Sequence, residues 1–195
     1  MAPVPRKVVV ASGHRMDAPG RAVPRFPPGE EVRVRSCIEA ALAGWEIGEG
    51  DVLVTGGASG GDLLAAEAML ARGGAVRLLL ARDPETFIAH SVRTEPGDQD
   101  GWERRFRAVA ARSDLRVVDQ RVEPQAPTEN RFERTNRALL NVAIELAGSN
   151  QLHALLIWDG QARADGRGGT AHFARALEDA RVTVKVIDPR PGAGG

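Results

Sequence analysis

The chain has 195 residues, 43% hydrophobic and 27% charged, the balance of a globular domain with enough apolar side chains to bury a core. Its 26 basic residues are matched by 26 acidic ones, which argues against nucleic acid or a membrane surface as a partner. A single cysteine, Cys37, excludes an internal disulfide and a multi-thiolate zinc site, and no apolar run approaches bilayer length. The opening Met-Ala-Pro-Val-Pro-Arg-Lys lacks the apolar stretch of a signal peptide, so the expected setting is the cytoplasm.

In chain order, the β-branched run Lys7–Ser12 predicts a strand that stops at Gly13, and Pro19 to Pro28 is a proline-rich loop. Glu30–Trp45 carries Val34, Ile38, Leu42 and Trp45 at helical spacing. Asp51–Thr55 reads as a short buried strand, and Asp62–Arg72 as a helix stopped by Gly73 and Gly74. The continuous apolar character of Val76–Ala81 implies a strand covered on both faces. Asp83 to Asp100 reads as a long loop with one helical turn near Glu85–His90. Then come a helix at Trp102–Arg112, a strand at Leu115–Asp119, a loop at Val122–Thr128 and a long helix at Glu129–Ala147. The remaining elements are a strand at His153–Trp158, a glycine-rich loop at Asp159–Gly169, a helix at Gly169–Arg181, a strand at Val182–Ile187 and a tail from Pro189. Strands separated by helices predict a Rossmann-like three-layer α/β sandwich with a mostly parallel sheet of six strands, in one domain over residues 1–195. Such sheets bind ligands beyond the carboxyl ends of their strands, where the strand order reverses.

Three loops at strand ends carry the candidate chemistry. In the first, Gly13 permits close backbone approach, and His14 and Arg15 are either anion contacts or solvated turn residues. The second, between a strand and a helix, contains Gly56, Gly57, Ala58, Gly60, Gly61 and Asp62. Its amides converge on a helix N-terminus, which makes it either a phosphate cradle or a tight turn. It matches neither the Walker spacing nor the dinucleotide fingerprint. Asp62 either complements the helix dipole or accepts ribose hydroxyls. The third holds Asp159 and Asp165, then Gly168, Gly169 and Thr170 at the start of the last helix. The aspartates suit a sugar or a bridged cation, or are turn residues.

Other positions bear on the same pocket. Asn136 interrupts the stripe Phe132, Leu139, Leu140, Ala143, Ile144 and Ala147, and either reads a base or ribose or bonds a loop backbone. Arg134 and Arg137 flank it, as phosphate contacts or as solvated residues. Glu67 shares a stripe with Leu63 and Leu70 and calls for a cationic partner, either an arginine or a ligand. Cys37 reads as buried and inert, and Trp158 stands at a strand end where it packs or walls the pocket. His90 and His172 form no ligand set with carboxylates at metal spacing.

The segments Ser-Gly-His-Arg, Thr-Gly-Gly-Ala-Ser-Gly-Gly-Asp-Leu-Leu-Ala-Ala-Glu-Ala and Trp-Asp-Gly…Asp-Gly-Arg-Gly-Gly-Thr-Ala-His together resemble the SLOG superfamily. That superfamily groups the DNA-processing protein DprA, the LOG phosphoribohydrolases, and nucleotide-sensing domains of bacterial conflict systems and TRPM channels. The likeness runs from Val8 to Ile187, includes Phe87…Ser91-Val92 and Asn130–Asn136, and most resembles bacterial signalling and defence members. It implies a Rossmann-like fold with a nucleotide pocket formed by Gly56–Asp62 and Gly168–Thr170. LOG hydrolases place a glutamate three residues after Gly-Thr to assist N-glycosidic cleavage; Phe173 stands there in this chain, and the proline before the glycines is missing. The departure favours a sensor for an ADP-ribose-like or cyclic nucleotide ligand, acting as a homo-oligomer or through a partner effector chain. The alternatives are a nucleoside-monophosphate phosphoribohydrolase using Asp62 or Glu67, and a ligand-free scaffold or DprA-like nucleic-acid binder. No cofactor beyond the ligand is expected, with a divalent cation admitted beside it and no metal site of the protein's own.

Overall fold

The structure, a computed structural model, describes residues 5–96, 101–119, 129–161 and 169–192. Six strands form one parallel sheet: β1 (Lys7–Gly13), β2 (Val52–Thr55), β3 (Ala75–Leu80), β4 (Asp114–Val117), β5 (Gln151–Ile157) and β6 (Val184–Ile187). Their order is β4-β3-β2-β1-β5-β6. The chain steps outward from β1 to β4, then crosses back to lay β5 on the other side of β1. The order therefore reverses between β1 and β5, which leaves a crevice beyond their carboxyl ends.

Period-two alternation sends the strand side chains into two separate cores. On one face, Val9, Ala11, Leu53, Leu78, Leu80, Leu155 and Ile157 pack under α1 (Glu31–Gly44), α2 (Gly61–Ala71) and α4 (Trp102–Ala110). On the other, Val8, Val10, Val54, Leu79, Ala154 and Leu156 pack under α5 (Arg131–Ala147) and α6 (Thr170–Asp179). The stripe Val34, Ile38 and Leu42 of α1 is buried, as its spacing predicts. Helix α5 starts at a capping box: the Asn130 side chain accepts from the Phe132 and Glu133 amides, and Glu133 accepts from the Asn130 amide.

Three expectations shift. Asp51 is not in the strand; it is fully buried in the preceding turn, where its carboxylate accepts from the Lys7 and Gly48 amides. The stretch after Asp83 holds more structure than one turn. Asp83 caps α3 (Pro84–Phe87), a π turn follows at Ile88–Val92, and burial of Phe87, Ile88 and Val92 secures both. Cys37 is half-buried rather than enclosed. The loop read at Val122–Thr128 lies outside the described residues, as does Asp165. Among the described residues no helix is long and apolar enough to cross a membrane.

Candidate functional site

At the crevice floor the ends of β1 and β5 are tied together. The His14 amide donates to the Ile157 carbonyl at 2.8 Å, and the His14 ring meets Asp159 at 3.0 Å from Nε2 to Oδ1, with 1% and 8% of the two residues exposed. Burial works to raise the Asp159 carboxyl, but the His14 hydrogen bond, the Gln161 amide and the His14 charge hold it below the ordinary range. Asp159 thus faces His14, behind the cavity, and orders two loops.

The glycine-rich loop after β2 is stitched to the protein's own groups. The Gly13 amide donates to Asp62 Oδ1 at 2.8 Å and the Ala58 amide to Oδ2 at 3.3 Å. The Ser59 amide donates to the Ser91 carbonyl and the Gly61 amide to the His14 carbonyl. Several donors read from sequence as a phosphate cradle are therefore engaged internally, with the Asp62 carboxylate in the place of an anion. Burial pushes the Asp62 carboxyl up to about 7, against the pull of the Ala58, Gly13 and Gly57 amides.

Three glycines explain why side chains are absent here. Gly13 and Gly61 meet backbone to backbone, so a Cβ on Gly61 would lie 2.9 Å from the Gly13 Cα and 2.8 Å from the Ile157 Cβ. Gly60 has φ +85°, and a Cβ there would lie 2.6 Å from the His14 carbonyl oxygen. These contacts, required by packing, draw α2 against the end of β1.

A cavity of about 300 Å³ opens above this tie. Gly13, His14, Arg15, Gly56, Ala58 and Asp62 line one side, and Asn136, Gly169 and Thr170 line the opposite side, so both expected loops border one space. Gly57, Gly60, Gly61, Asp159 and Arg134 are not on its wall, and Gly168 lies outside the described residues. Arg134 and Arg137 both pair with Glu129, at 3.5 and 3.0 Å. Asn136 donates to the Gly169 carbonyl at 3.4 Å, the loop-backbone contact among its two readings. Glu67 is clamped by Arg105 at 2.7 Å and Arg35 at 2.9 Å, and these arginines hold its carboxyl low although burial works the other way. Phe173 is wholly enclosed in the core beneath α6 and does not reach the cavity. Trp158 packs against that core and is not on the cavity wall either.

Of the lining residues that sequence reasoning missed, two stand out for charge or an exposed ring. Arg25 comes from the proline-rich loop, which is a strap pinned at two points. Asp17 Oδ2 accepts the Arg25 and Phe26 amides at 2.8 and 2.9 Å, and the Phe26 ring is fully buried. Asp17 Oδ1 also meets Arg21 at 3.2 Å. The strap gathers Arg21 and Arg25 beside Arg15; burial, then the charges of Arg21 and Arg25, hold the Arg15 guanidinium below its usual range. The second missed residue is Phe132, read as core but standing at the cavity with 39% of its surface exposed, one turn before the buried part of its stripe. Asp17, a carboxylate just before the proline-rich loop, was the available signal for the strap.

Fold and cavity define a parallel α/β protein with a crevice at its switch point. No family model and no curated protein sequence matches the chain. Among solved structures it is similar to DNA processing protein A (DprA) from Streptococcus pneumoniae, at 18% identity and a TM-score of 0.49 over 97% of this chain and 51% of that one. It is also similar to DNA processing protein A from Helicobacter pylori, at 20% identity and a TM-score of 0.32 over 93% of this chain and 75% of that one. The chain thus spans about half the length of the pneumococcal protein. The Helicobacter protein is described for its single-stranded DNA binding mode, which stands against the expectation that nucleic acid is an unlikely partner. The physical flaw in that expectation is that net charge sums the whole chain, whereas Arg15, Arg21 and Arg25 concentrate positive charge in one place.

Proposed function

We propose that the cavity binds one nucleotide unit, with the base against Phe132 and a phosphate at Arg15 and Arg25. The observation that carries this reading is the pairing of an exposed aromatic face with a cationic cluster at the mouth of a switch-point cavity. Leu79, Phe87 and Leu139 supply an apolar floor, and Ser91 and Thr135 supply hydroxyls. A volume of about 300 Å³ is at the lower bound for small-ligand pockets and suits one nucleoside better than two. The glycine-rich loop contributes the shape of the wall, and its Asp62 stands where a ribose hydroxyl would donate.

A free nucleotide-derived ligand and a nucleotide within a single strand offer the same base and phosphate. The strand reading gains from the exposure of Phe132, because a continuous ligand needs contacts outside the cavity. Calorimetric titration with a nucleoside 5′-monophosphate, ADP-ribose and a short single-stranded oligonucleotide tests both. Binding by at least one, weakened by Phe132→Ala and by Arg25→Ala, is the expected result. The reading fails if none of the three binds, or if both substitutions leave affinity unchanged.

A further inference from the structure

Beside the nucleotide cavity lies a second, more open cleft of about 530 Å³ at the carboxyl ends of β3 and β4, and Ala81 lines both. Its cations are Arg82, which follows Ala81, and Arg131, which precedes Phe132. Neither side chain has a hydrogen-bond or ion-pair partner among the described residues, and the Nε of half-buried Arg82 is enclosed without an acceptor. The cleft also holds two carboxylates, Asp83, which accepts from the Thr86 amide at 3.0 Å, and Asp119. An enclosed donor without an acceptor is uncommon in a folded protein, and it leaves the Arg82 guanidinium without an internal counter-charge.

We infer that Arg82 and Arg131 form a second phosphate subsite, so that the ligand carries two phosphates flanking one nucleoside. The inference rests on the nucleotide reading of the first cavity. Its geometry is sequential: a base against Phe132 brings the next phosphate to Arg131, the adjacent residue at the start of α5, while Arg82 flanks the shared Ala81 wall. Two guanidinium groups around one phosphate make charge-assisted, bidentate contacts that a lone 5′-monophosphate does not use.

The probes are a nucleoside 5′-monophosphate and the corresponding nucleoside 3′,5′-bisphosphate, which differ by one phosphate. The bisphosphate is expected to bind about tenfold more tightly. Arg131→Ala and Arg82→Ala should each remove most of that gain and leave the monophosphate affinity unchanged. Arg131 is exposed and bonded to nothing through its side chain, so its variant keeps the fold should Arg82→Ala disturb it. A 5′-phosphorylated dinucleotide separates the sources: affinity equal to or above that of the bisphosphate points to a strand, and lower affinity to a free bisphosphate. Equal binding of the two probes by the native chain overturns the second subsite alone. Loss of affinity for both probes in Arg131→Ala also overturns it, and failure of both probes to bind the native chain overturns the nucleotide reading beneath it.

Discussion

The glycine-rich loop after β2 and the proline-rich strap after β1 exchange the roles that their compositions suggest. The loop has the look of a phosphate cradle, yet several of its amides serve Asp62, Ser91 and His14, and its glycines allow α2 to press against the end of β1. The strap has the look of a connector, yet Asp17 and Phe26 pin it so that Arg25 reaches the cavity and joins Arg15 and Arg21. Glycine content reports where backbones approach closely, and the approaching group is as readily protein as ligand. Cations held together at a cavity mouth repel one another, and that cost makes an anionic occupant the more telling inference.

This contrast breaks most sharply at Gly60 and Gly61. Replacing Gly61 by Ala forces a Cβ into the Gly13 backbone and Ile157, with an expected stability loss of about 2–4 kcal/mol in denaturant unfolding. Gly60→Ala should cost at least as much, because it adds a strained φ to the clash with the His14 carbonyl. If either variant keeps native stability and loses only ligand affinity, the loop is a cradle after all.

The next effect concerns Asp62. Its carboxyl sits at about 7 in the folded chain against 3.8 for a free aspartate, so between those values the folded state holds a proton that the unfolded state has released. Stability from this group should therefore be greatest in acid and fall as pH rises through that window, by up to about 1.4 kcal/mol per pH unit. Unfolding curves collected from about pH 4 to about pH 8 should show this slope in the native chain and lose it in Asp62→Asn.

Smaller changes are expected at the mouth, and they bear on binding rather than folding. Phe132→Ala should weaken a nucleotide ligand by about 1–3 kcal/mol, the range for loss of one base–aromatic stack, with little change in melting temperature. Arg25→Ala should weaken it by about 1–2 kcal/mol and reduce the salt dependence of affinity, measured by titration at two ionic strengths. The smallest change in affinity is expected for Arg134→Ala, which removes a largely buried pairing with Glu129 and should leave affinity unchanged while lowering stability by about 1–3 kcal/mol. A tenfold affinity loss there would restore Arg134 to the binding surface.

Much of the site was legible because it follows from where strands end. Alternating strands and helices locate the crevice loops in advance, and the loops at Gly13–Arg15, Gly56–Asp62 and Gly169–Thr170 do meet around one cavity. The cationic partnership of Glu67 was legible too, since a carboxylate on an apolar stripe has to be neutralised. What no local pattern could separate was which of two satisfied states each polar group adopts. Arg134 turns to nearby Glu129, whereas Asn136 bonds the Gly169 carbonyl and Asp159 turns to His14, each choosing a protein partner from a distant part of the chain. Phe132 and Phe173 show the same limit for apolar groups: both lie on helical stripes, yet one opens onto the cavity and the other is sealed in the core.

The sequence by itself determined the order of strands and helices and the six-stranded α/β class, because hydrophobic periodicity and glycine breaks are local properties of the chain. It also determined that the glycine-bearing loops would gather at the strand ends. Only the tertiary structure decided that the glycine-rich loop satisfies its own amides, that the strap supplies the arginines, and that a second cation pair lies beside the first cavity. The reason is distance along the chain. Hydrogen bonds and charge clusters are settled by what three-dimensional packing places within about 3 Å, and these partners are tens of residues apart in sequence.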